Sequence, residues 1–141
     1  MQAIRRGSSW GRVDYTPGSA VSAGQVVAIG SLLGFAEVDI EANRLGALAI
    51  GGVFDVVKAN GQINAGAAVY WDADGDPQGG TAGTGAATTT SSGNTFAGFA
   101  LATAGATATT VRLVSFGPIS VTNTVHSEVT NAITDPGNAG A

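Results

Sequence analysis

The chain has 141 residues, which fits a single domain and excludes a multidomain machine. It has no cysteine, so disulfide staples, thiolate metal sites and cysteine nucleophiles are excluded together. Hydrophobic residues reach 44% with only 6% aromatics, 22 glycines, 11% charged residues and a net charge of −4, a balance that excludes long charged helices and implies a light core.

Apolar burial contributes roughly 25 cal/mol per Å², so a core this rich in small residues makes a marginal monomer and favours oligomerisation. The charge is unevenly placed. Arg5, Arg6 and Arg12 precede the first acid, Asp14, and from Asp14 onward Arg44, Lys58 and Arg112 face all ten acids. The N-terminus is basic and the body acidic. Gly7-Ser8-Ser9-Trp10-Gly11 follows the first two arginines where a secretory signal would need an apolar run, and no apolar run approaches the ~20 residues of a membrane span. A soluble protein without a targeting segment is expected.

Short Val/Ile/Leu/Phe runs between Gly, Pro, Asn and Asp clusters predict an all-β fold, a small Gly/Ala/Thr-rich barrel or sandwich of about eight strands. Residues 1–11 are expected as an N-terminal arm, 12–116 as the barrel and 117–141 as an extended C-terminal arm. Within the body, Arg12–Tyr15 is the first strand, closed by Pro17-Gly18, and Gln25–Ile29 and Leu32–Val38 follow around Gly30-Ser31. Gly46–Ile50 and Val53–Lys58 flank Gly51-Gly52, which suggests a bulge or bend. Asn60-Gly61 is a turn, and Ala67–Trp71 is a strand ending in the acidic turn Asp72-Ala73-Asp74-Gly75-Asp76-Pro77. Gln78–Asn94 has little bulk to bury and predicts a mobile surface loop, with Thr88–Thr90 able to pair at an edge. Thr95–Ala102 and Thr110–Phe116 complete the body.

Beyond Gly117-Pro118, Ile119, Val121, Val125, Val129 and Ile133 all occupy odd positions, the period of an extended strand. The four-residue spacing from Val121 to Ile133 also suits a helical stripe, but β-branched residues dominate and tilt the reading to an extended arm. Such a strand needs a partner for its apolar face and its amides, so it is expected to cross to a neighbouring subunit.

The chemistry-bearing residues are few. No Gly-Lys-Ser/Thr phosphate loop exists, and the single lysine, Lys58, lies in Val57-Lys58-Ala59-Asn60. Asp72, Asp74 and Asp76 resemble the start of a calcium loop, but Pro77 and Gly83 stand where the EF-hand pattern needs glycine and glutamate. That leaves a weak cation site or a solvated acidic turn. The one histidine, His126, neighbours Ser127, and adjacent strand residues point to opposite faces, so they form no nucleophile–base pair. No enzyme signature, cofactor or metal site is expected. Arg5, Arg6, Trp10 and Arg12 could grip phosphates and stack on a base, yet an acidic body repels a polyanion. An acidic protein surface is the better partner for them, with a solvated tail as the alternative.

The order Pro17-Gly18, Val21 to Gly30, Gly52-Val53-Phe54-Asp55-Val56-Val57-Lys58, Ala65-Gly66-Ala67-Ala68-Val69-Tyr70-Trp71-Asp72, and Gly93-Asn94-Thr95 through Val111-Arg112-Leu113 resembles the capsid cement, or decoration, proteins of tailed bacteriophages. It is similar to the family catalogued as domain of unknown function 2190. The resemblance covers roughly residues 10–116 and carries no catalytic motif. It implies a β-rich structural virion protein, usually a homotrimer, that sits on the outer surface of the assembled head over junctions between capsomers and stabilises contacts between subunits of the major capsid protein, with contacts between neighbouring trimers left open. No nucleic acid or membrane partner follows from it. Arg5, Arg6, Trp10 and Arg12 are then the expected capsid contact, and Ile119, Val121, Val125, Val129 and Ile133 the inter-subunit arm. The long Gly/Thr loop and residues 117–141 depart from the family pattern. The alternative is a host-recognition or carbohydrate-binding module displayed on the virion, with Tyr70, Trp71 and the variable Gly/Thr loop as its receptor surface.

Overall fold

The computed structural model describes residues 1–116, apart from the side chains of Ser8, Ser9 and Trp10. Its eight strands are β1 (Ala3–Tyr15), β2 (Val26–Ile29), β3 (Leu32–Phe35), β4 (Gly46–Val57), β5 (Ala68–Asp72), β6 (Ala86–Thr88), β7 (Thr95–Ala100) and β8 (Thr110–Ser115). They form one curled antiparallel sheet in the order β2-β3-β4-β8-β7-β5-β6, with β1 paired to β4 beside that path. A parallel bridge from Lys58 to Ala87 joins the end of β4 to β6 and draws the sheet towards a half-barrel. The all-β expectation holds.

β4 is the spine. It runs through Gly51-Gly52 without stopping, so the two strands expected there are one. The irregularity lies in its pairing with β1, whose register shifts at Ser9 and Gly11 opposite the two glycines. The shift changes which alternate residues face the core: Ala49 before it, Phe54 and Val56 after it.

On the inner face, Phe35 and Phe54 stack with ring centroids 4.0 Å apart, and Val69, Trp71, Val111 and Leu113 fill the space around them. A smaller cluster seals the outer face at the start of β4, where Leu48 packs with Val21, Val27, Ala36 and Ile40. Much of the remaining core is alanine, as the composition implies.

Two expectations change. The first strand begins at Ala3 instead of Arg12, so the segment expected as an arm is paired along β4 in this chain. Ala3 is buried, the Gln2 and Ala3 amides both donate to the Gly24 carbonyl, and the Gln2 side-chain amide donates to the Thr84 carbonyl at 2.7 Å. Within Gln78–Asn94, expected as a surface loop, residues Ala86–Thr88 form β6, and Ala86 and Ala87 are wholly buried. Small bulk serves packing there: a Cβ at Gly85 would collide with the Trp71 ring. Residues 117–141, with the whole expected C-terminal arm, lie outside the described residues.

Candidate functional site

The sheet's register builds two clusters in which one carboxylate is held by two arginines. Asp55 on β4 lies opposite Ile4 of β1 and Arg112 of β8, so Arg6 and Arg112 reach it from both sides. Arg6 Nε donates to Asp55 Oδ2 at 2.8 Å, and Arg112 donates through Nε and Nη2 at 2.8 and 2.9 Å. The Arg112 hydrogen bonds hold the Asp55 carboxyl below the usual carboxylate range, with Arg6 adding to them against partial burial. The second cluster gathers on Glu37: Arg12 donates through Nη2 at 2.7 Å and Nε at 3.1 Å, and Arg5 Nε donates as well. At Glu37 partial burial works against ionisation, but Arg12 and Arg5 outweigh it and keep the carboxyl low.

The three N-terminal arginines expected to act together are thus divided, Arg6 with Arg112 and Arg5 with Arg12. All four remain about half exposed, and two cations on one anion leave a net positive charge in each cluster. The structure carries them on strands β1 and β8 and not on a free tail. The Trp10 side chain, Ile119, Val121, Val125, Val129 and Ile133 lie outside the described residues.

Lys58 has a role that its sequence context hid. Its side chain is buried, and Nζ donates towards the carbonyls of Gly105, Ala106 and Ala108 at 3.1, 3.4 and 3.3 Å, tying the loop before β8 to the end of β4. Burial pushes its pKa below the ordinary lysine value.

A bulge in β7 places Phe96 and Phe99 on the same face, because Tyr70 pairs with Phe96 while Val69 pairs with Gly98. The result is a chain of edge-to-face rings, Tyr70–Phe96–Phe99–Phe116, with centroids 5.7, 5.4 and 6.4 Å apart. Gly98 makes the bulge possible: its φ is +152°, and a Cβ there would run into the Val114 carbonyl. Trp71 points the other way and is 3% exposed, so the Tyr70/Trp71 receptor surface of the alternative reading is not assembled.

In the acidic turn, a hydrogen bond with Asp74 is the main cause raising the Asp72 pKa, and Asp76 accepts the Gly83 amide at 2.8 Å. Among the described residues no group of three or more His, Asp or Glu is placed to hold a metal ion. A cleft of about 520 Å³ lies between the N-terminus and the Pro77–Gly85 loop and is lined by uncharged side chains such as Gln2, Gln25, Gln78, Thr81, Thr84 and Thr109.

A family model described as phage cement protein matches residues 7–114, from within β1 to the penultimate residue of β8. No curated protein and no solved structure matches the chain.

Proposed function

The chain belongs to the phage cement protein family, and on that premise we propose that it binds the outer surface of the mature head and stabilises contacts between neighbouring major-capsid subunits. The family match over residues 7–114 carries this reading. A protein that binds only the expanded shell stabilises it by mass action, and modest affinity at each site is multiplied over the lattice. The role needs no catalysis, and the reading is of a non-enzymatic structural protein, acting as a homotrimer.

Arg5, Arg6 and Arg12 supply the capsid contact together with Trp10, with Arg112 joining Arg6 through Asp55. An acidic capsid surface would meet the half-exposed guanidiniums, and each cluster would release part of its internal pairing to the new partner. Individually such exposed pairs contribute ~0–1 kcal/mol, so the tryptophan should dominate the docking energy. The segment Ile119, Val121, Val125, Val129 and Ile133 serves as the arm between copies.

Co-sedimentation of the purified protein with heads tests the reading. Saturable binding at hundreds of copies to expanded heads, and none to unexpanded shells, is the expected result. A handful of copies at a tail or vertex, or binding to host cells without binding to heads, would favour the host-recognition module instead.

A further inference from the structure

The face of the sheet opposite Phe54 and Leu113 carries a row of apolar side chains that crosses four strands. Val53 of β4 pairs with Val114 of β8, Val114 pairs with Phe99 of β7, and Phe96 and Tyr70 continue the row to β5. Each is partly exposed, whereas the same face at the start of β4 is sealed around Leu48. The Arg6–Asp55–Arg112 cluster borders the row, and Gly7 keeps one end low, since a Cβ there would press on Val53 at 3.3 Å. Phe116, where the described chain ends, packs against Phe99.

We propose that residues 119–133 of a second copy lie along this row as an extended strand. The inference rests on the reading of that segment as an inter-subunit arm and names the surface that receives it. Length and chemistry support the match. Four strands at ~4.8 Å spacing make the row about 15 Å long, and Val125 and Val129 in an extended chain stand about 13 Å apart. The odd-position apolar pattern from Ile119 to Ile133 extends over fifteen residues, about 50 Å, roughly three times what covering one row needs. The surplus lets an arm leave its own body and still lie on a neighbour. Glu128 is the only carboxylate in that stretch and falls on the even-numbered side, away from the valines.

The natural chain lacks cysteine, so engineered pairs report cleanly. Full-length V125C is mixed with mass-tagged V114C under mild oxidation, and with tagged L45C as the control, because Leu45 is exposed and precedes the start of β4, eight residues before Val53. The V125C–V114C heterodimer should form at least ten-fold faster than V125C–L45C on a denaturing gel. Equal rates would overturn the proposal, as would a V114C/V125C double variant that links only within one chain. If V114C loses the β-sheet circular dichroism, F99C replaces it at the same row. Weakened assembly of V125D/V129D without the selective cross-link would keep the arm reading and place its docking surface elsewhere, again overturning this assignment.

Discussion

Asp55 is the residue on which three strands' surface chemistry converges. Replacing it by asparagine leaves Arg6 and Arg112 facing each other across β4 without their shared anion. D55N should lose about 1 kcal/mol in urea unfolding, the upper end for an exposed pair because one carboxylate serves two cations. The acid limb should change with it. Asp55 and Glu37 have folded pKa values lowered from their ordinary ones, so their contribution is present above pH ~4 and is lost as pH falls through the folded values. Stability of the natural chain should therefore drop on acidification below pH ~4, and D55N should show a shallower drop. Lys58 gives a sharper test: K58M keeps the apolar stem but leaves three carbonyls without their donor, and should cost about 1–3 kcal/mol. Hydrogen exchange concentrated at residues 104–109 should accompany that loss. None of these partnerships was legible in the sequence, because Asp55 and Arg112 are far apart along the chain and meet only through the β4–β8 register.

At the scale of elements, β1 decides what the N-terminus can do. Since Ala3 to Arg5 pair with Val56 to Phe54, removing residues 1–11 should destroy cooperative unfolding, not merely docking. Combined R5Q/R6Q/R12Q substitutions preserve the strand and are the fair test of its surface. They should reduce binding to heads while leaving the circular dichroism of the sheet unchanged; undiminished binding would remove the arginines from the contact. Much of the element pattern could be read beforehand. Val69 and Trp71 alternate with Ala68, Tyr70 and Asp72 as a half-buried strand should, and the paired glycines in β4 marked an irregularity that the structure contains. Missed were the elements whose signal is smallness. Ala86 and Ala87 enter the core because Gly85 lets the chain approach Trp71, and nothing local separates them from the surrounding Gly/Thr loop. The aromatic row was hidden for a related reason: Phe96 and Phe99, three residues apart, share a face only because the chain bulges at Ala97–Gly98.

For the whole molecule, a light, curled sheet with few large core side chains is suited to deriving stability from its neighbours. On the proposed reading, the partly open row on one face makes an apolar contact between copies, and the paired arginine clusters around β1 make an electrostatic contact with a shell. Because electrostatic contacts are screened, docking governed by the arginines should weaken as salt rises from 50 to 500 mM, whereas association through the row should persist. Sedimentation at the two salt concentrations separates these contributions. Whether the protein cements a mature head is read from the temperature at which packaged heads release their DNA, measured with and without a saturating amount of the full-length chain. A rise of several degrees that saturates with bound copies is the predicted result. Identical release temperatures for fully decorated and bare heads would contradict it.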